Sequence, residues 1–157
     1  MVLEKTWRWE FLGFESLAEG RPVQAWFDVL PEEPERYEIT DLLDSLQKTS
    51  DRLWPKEVFD PLRGARGISE IKIPKIKCFR DGKYKIITYR IYGFFGPGDH
   101  CYTFLHGTDK DVKNDTIGKQ IAEGRLDELT RGLATVHKFE FQKELDSPPE
   151  KGPRYTN

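Results

Sequence analysis

Between positions 63 and 90 the chain holds nine basic side chains (Arg63, Arg66, Lys72, Lys75, Lys77, Arg80, Lys83, Lys85 and Arg90) against two acidic ones, Glu70 and Asp81. Cations at that density suit phosphate or an acidic partner. They also fit the solvated outer face of β-strands, where lysine guards exposed edges. Charge by itself leaves both readings open. The flanks differ: residues 1–62 carry 7 basic and 14 acidic side chains and residues 91–157 carry 9 and 11, so a net charge of −2 conceals a cationic middle. His106 follows this stretch. An imidazole, with an ordinary pKa of about 6.5, suits proton transfer near neutrality. A histidine before glycine at a strand end is equally at home as hydrogen-bonded scaffolding. Cys78 and Cys101 are too few and too far apart for a zinc or disulfide framework, and they fit as partly buried thiols in a reducing cytoplasm.

Such groups act only if rigid elements hold them. Thr6–Leu12 alternates strictly, with Trp7, Trp9 and Phe11 on one side, and predicts a half-buried strand. Gly20 breaks the chain and Pro22 opens a short amphipathic helix over 22–30, with Val23, Trp26, Phe27 and Leu30 on one side. A second helix is expected over 34–50, where Ile39, Leu42, Leu43 and Leu46 share a face and acidic residues crowd the first turn. Residues 51–67 have no period and read as a loop. The next forty residues turn β: Ile71 and Ile73 alternate with charge, Asp81-Gly82 marks a hairpin, and Gly96-Pro97-Gly98-Asp99 leads into Cys101–His106. A helix over 115–133 follows, with Ile117, Ile121, Leu126, Leu129 and Leu133 facing inward.

The length of 157 residues suggests one domain over 1–142, and 20 aromatic residues can build its core despite a modest apolar content. Residues 143–157, charged and proline-containing, read as a disordered tail. No stretch approaches the roughly 18 apolar residues of a membrane span, and no apolar signal core follows the N-terminus. These features argue against membrane-spanning and signal-bearing secreted classes. The element order gives an α+β fold, an antiparallel meander with an N-terminal strand, two N-terminal helices and a C-terminal helix packed on one sheet face. The other face would then carry Glu70, Lys72 and Arg90, with His106 at the end of the last strand. An uncovered face lined with cations is a platform for a nucleic-acid backbone.

Several segments together resemble the RelE/HigB-like toxins of bacterial toxin–antitoxin pairs, closest to the phage-derived HigB-type branch. They are the run from Pro22 (PVQAWFDVL-PEEPERYEITDLLDSL), the strands ISEIKI and YRIYGFF, and FLHGTDKDVKNDTIGKQIAEGRLDEL. The tetrad Phe104-Leu105-His106-Gly107, followed by Lys110, Lys113 and an amphipathic helix, is similar to the Leu-Leu-His-Gly-like tetrad and paired lysines of that branch. The likeness runs in order over residues 6–130.

The resemblance implies a cytoplasmic, metal-independent endoribonuclease that cuts messenger RNA, often on the ribosome, and is held in check by a helix-turn-helix antitoxin. It implies no cofactor. The 2′-hydroxyl attacks the neighbouring phosphate, so the protein must supply proton carriers and cations aimed at developing charge. On that reading Arg90, Lys72 and His106 are the catalytic candidates, and Arg63, Arg66, Lys110 and Lys113 are the RNA-phosphate contacts. Lys72 stands where the family usually has arginine, which keeps the charge but loses the bidentate fork. The chain departs further in being net acidic and longer. A non-catalytic RelE-fold binding protein of phage origin and a gyrase-directed relative are therefore the alternatives.

Overall fold

Three strands carry large apolar side chains on both of their faces, and the architecture follows from that. The computed structural model describes residues 8–62, 67–109 and 115–141. Its strands are β1 (Glu10–Glu15), β2 (Phe59–Pro61), β3 (Ser69–Arg80), β4 (Lys83–Phe95), β5 (Cys101–Thr108) and β6 (Thr135–Lys138); its helices are α1 (Pro22–Asp28), α2 (Tyr37–Gln47) and α3 (Thr116–Thr130). The strands form a six-stranded sheet in the order β2-β3-β4-β5-β1-β6. All neighbours are antiparallel except β1 and β5, which run parallel with Phe11 opposite Tyr102. The class is mixed α+β.

The expectation that all the helices lie on one sheet face is wrong. Phe11 of β1, Tyr89 and Ile91 of β4, and Tyr102 and Phe104 of β5 pack with Val23 and Phe27 of α1 and Ile39, Leu43 and Leu46 of α2. Phe14, Tyr92 and Leu105 face the opposite way and pack with Ala122, Leu126 and Leu129 of α3. Side chains of a strand alternate between faces, so a strand apolar on both needs cover on both. α3 supplies the second cover.

Other boundaries shift for local reasons. Among the described residues the first strand starts at Glu10, and Thr6 and Trp7 of the expected strand lie outside them. The second helix begins at Tyr37 after a wide helical turn over Glu32–Arg36, in which Glu33 is extended (φ −130°, ψ 136°). The described part of the expected loop at 51–67 contains a 3₁₀ turn at Asp51–Leu53 and the edge strand β2. A further strand, β6, follows α3, and Phe139 and Phe141 beyond it are buried. Ile117 and Leu133, expected to face inward, are 60% and 63% exposed; Ala122 takes the central inward position of α3 instead.

The Asp81-Gly82 turn forms as the dipeptide demands, with φ +51° and +77° at its two central residues. Cys78 is buried and Cys101 partly buried, both free thiols. No helix among the described residues is long and apolar enough to cross a membrane. The tail over 143–157 lies outside the described residues.

Candidate functional site

The pairing register places the basic side chains of β3 and β4. Lys72 lies directly opposite Arg90, and Arg90 lies opposite Thr108 of β5. Ile71, Ile73, Tyr89 and Ile91 point to the α1/α2 core, so Lys72 and Arg90 stand on the α3 side of the sheet. The next row on that side runs Asp60, Glu70, Tyr92, His106 across four strands. Lys72, Arg90 and His106 therefore share one face: Lys72 and Arg90 are cross-strand neighbours, and His106 lies one strand over from Arg90 and one same-face step of roughly 7 Å along it.

His106 reaches this face through a bulge. Strict alternation would put it beside Tyr102 and Phe104, toward α1. The register slips between Tyr92 and Gly93, so that Phe104 pairs with Gly93 but His106 pairs with Tyr92. A bulge of this kind re-aims a side chain. The imidazole then lies parallel to the Tyr92 ring, 8° between planes and 6.1 Å between centroids. Gly107, next along, returns to the α1 side. A Cβ there would come within 2.4 Å of the Trp26 ring, so glycine is what lets the helix seat against the strand.

Around this row the polar groups are fixed in place. The Tyr92 hydroxyl donates to Asp115 Oδ2 at 3.0 Å, and Asp115 Oδ1 accepts from the Gly118 amide at 2.9 Å. Asp115 is thus both the N-cap of α3 and a tether between that helix and β4. Burial pushes the Tyr92 phenol well above its ordinary range, and the Asp115 carboxylate adds to the effect, so the hydroxyl keeps its proton. Glu70 is 8% exposed. Burial raises its carboxyl above the ordinary carboxylate range; Arg90, Lys72 and Lys119 oppose that rise, and Asp60 adds to it. A carboxyl in this setting takes up a proton more readily than a surface one, while it stays within electrostatic reach of three cations.

The cationic stretch does not act as one patch. Arg80 lies on the α1/α2 side, where its guanidinium is ion-paired to the buried Glu35 and donates to the Tyr89 hydroxyl at 2.8 Å. Lys85 and Lys83 share that side, opposite Cys78 and Arg80. Lys72 and Arg90, with Lys77 further along the hairpin, are delivered to the α3 side of the sheet. Arg63, Arg66, Lys110 and Lys113 lie outside the described residues.

No protein-family model, curated protein or solved structure matches this chain. What the face can do is read from its own chemistry: two neighbouring cations to hold an anion, an imidazole one step away, and a carboxyl of raised pKa behind them. Among the described residues no three His, Cys, Asp or Glu side chains are grouped to hold a metal ion.

Sequence reasoning placed Glu70 on this face only as a charge and missed Tyr92, Asp115 and Lys119. The signals were available in part. Tyr92 shares the parity of Arg90, and Asp115 is a favoured N-cap residue immediately before the helical run.

Proposed function

We propose that this protein is a metal-independent endoribonuclease of the RelE/HigB-like kind, the toxin of a bacterial toxin–antitoxin pair, which cuts messenger RNA in the cytoplasm and so stops translation. The observation that carries the reading is the cross-strand pair Lys72–Arg90 with His106 in the adjoining row of the same face. The ordered likeness of segments between residues 6 and 130 supports it. In the reaction the 2′-oxygen bonds to phosphorus and the bond from phosphorus to the 5′-oxygen breaks. This leaves a 2′,3′-cyclic phosphate and a 5′-hydroxyl. One proton leaves the 2′-hydroxyl and one reaches the departing 5′-oxygen. His106 is suited to carry a proton, and Arg90 and Lys72 to neutralise the charge that develops on the phosphoryl oxygens. Glu70, buried beside the cations and within their electrostatic reach, adds a carboxyl of raised pKa to the same face. The partner of this reading is a helix-turn-helix antitoxin that masks the cationic face, and the substrate complex includes the ribosome.

Inducible expression in bacteria tests it, with growth followed and message 5′ ends mapped. Growth arrest with new internal ends bearing 5′-hydroxyls is the expected result. Arrest without new ends would refute the ribonuclease and point to a gyrase-directed or purely binding relative.

A further inference from the structure

The hairpin formed by β3 and β4 runs on past the part of the sheet that α3 covers. On its α3 side the register sets Phe79 opposite Tyr84 and Lys77 opposite Ile86. Phe79, Tyr84 and Ile86 are 59%, 67% and 68% exposed, so three large apolar side chains stand side by side in water. The Phe79 and Tyr84 rings meet edge to face, 69° apart with centroids at 5.1 Å, and Lys77 Nζ sits 4.9 Å from the centre of the Tyr84 ring. Scattered single apolar residues on a surface need no explanation, but a contiguous row does.

The row leads somewhere. Continuing along the same face of β4, Ile86 is followed by Thr88 and then by Arg90, with Lys72 beside it. From Tyr84 to Arg90 is six residues, roughly 20 Å of strand. Lys75 lies at the irregularity between Ile73 and Ile76, alongside this path. Between Ile71 and Arg90 the sequence contains one acidic residue, Asp81, at the turn. A strip of exposed rings and lysines with no carboxylate between the turn and Arg90 matches the chemistry of a single-stranded nucleic acid: flat bases for the rings and phosphates for the cations.

We propose that this strip binds single-stranded RNA, with bases stacking on Phe79 and Tyr84 and the backbone following Lys77, and leads the strand to the phosphate held by Lys72 and Arg90. The inference rests on the ribonuclease reading and gives it a substrate form, an unpaired strand engaged several nucleotides to one side of the scissile bond.

The test measures binding of a fluorescein-labelled, 12-nucleotide 2′-O-methyl RNA of mixed sequence by anisotropy; the methyl group removes the nucleophile, so the probe is not cut. Phe79→Ala and Tyr84→Ala should each weaken binding about tenfold, and Tyr84→Phe should leave it nearly unchanged, because stacking needs the ring and not the hydroxyl. Lys77→Ala should reduce the steepness of the salt dependence by about one contact. Cleavage of a trinucleotide confined to the Lys72–Arg90 site should proceed at the same rate in the ring variants as in the unaltered chain. Undiminished binding in both alanine variants, with binding still weakened by Arg90→Ala, would overturn the strip and leave the ribonuclease reading standing. Absence of RNA binding by the unaltered protein would take both down. Loss of self-association in the ring variants by sedimentation, with RNA binding intact, would overturn the proposal in favour of an interface between copies.

Discussion

Arg80→Ala should unfold more of the protein than any other single change in the cationic stretch. Glu35 has a side chain 1% exposed, and Arg80, 30% exposed, supplies its ion pair. With Arg80 gone, Glu35 retains the Tyr89 hydroxyl at 3.4 Å as a side-chain partner. Removing one member of a buried pair costs about 3–5 kcal/mol, because a charge is left buried and uncompensated. The partial exposure of Arg80 lets water reach the gap, which lowers the expectation to about 2–3 kcal/mol. For a chain of this size that is a fall of about 5–10 °C in thermal midpoint.

The pH dependence identifies the cause. Burial raises the Glu35 carboxyl, but the Arg80 hydrogen bond and its charge outweigh burial and hold it below its ordinary range. A folded-state pKa below the unfolded one adds stability above the unfolded pKa, and that stability is lost as pH falls through the folded value. In Arg80→Ala burial acts unopposed, the carboxyl titrates above its ordinary range, and protonation relieves the strain. The gap between the two proteins should therefore be full at neutral pH and narrow toward about pH 4, the ordinary glutamate range. Urea unfolding at both pH values measures it. The pair Glu35→Gln with Arg80→Met should recover much of the loss, since no buried charge remains. A deficit below about 1 kcal/mol at neutral pH, or one of equal size at both pH values, would refute the assignment of Arg80 to the core.

Arg90→Ala should abolish growth arrest on induction through a loss of about a hundredfold in cleavage rate, with cooperative urea unfolding retained. Lys72→Arg should raise cleavage severalfold by restoring a planar fork for the phosphate, read in the same RNA assay. His106→Gln should slow cleavage and flatten its pH–rate profile around neutrality; an unaltered profile would remove the imidazole from the proton path. Gly107→Ala should destabilise by about 1–3 kcal/mol in urea through its clash with Trp26, and Trp26→Phe in the same chain should restore part of the loss.

Local chemistry was the legible part of this sequence. Asp81-Gly82 specified its own turn, and the apolar spacing of 22–30 and 34–50 located both N-terminal helices to within a turn. The second sheet face was misread because the alternation was followed on one side alone. Phe14, Tyr92 and Leu105 sit between residues of opposite parity, and together they called for a helix where an open surface was expected. Strand β2 was missed because its three residues gain their extended form from pairing with β3, not from any period of their own.

The site shows why spacing alone could not settle which cations matter. Lys72, Arg80 and Arg90 lie within one hairpin, and all three are even-numbered. A strict period of two carries Lys72 and Arg80 to the same face. The irregularity between Ile73 and Ile76 breaks that parity, so Ile76 and Cys78 turn to the core and Arg80 turns with them, toward a glutamate 45 residues earlier. The slip opposite Tyr92 does the reverse for His106, bringing it off the face of Phe104 and onto that of Arg90. One bulge removes a cation from the candidate site and the other supplies its imidazole. Each adds a residue to one strand without a counterpart in the other, a property of the pairing of two segments that neither segment reveals separately. The catalytic reading of this face therefore depends on the second bulge. Deleting Leu105 would remove the extra residue and set the histidine directly after Phe104, on the face opposite to that ring and again paired with Tyr92. A folded variant should therefore keep RNA cleavage; loss of cleavage with the fold and the Lys72–Arg90 pair intact would refute this account of the bulge.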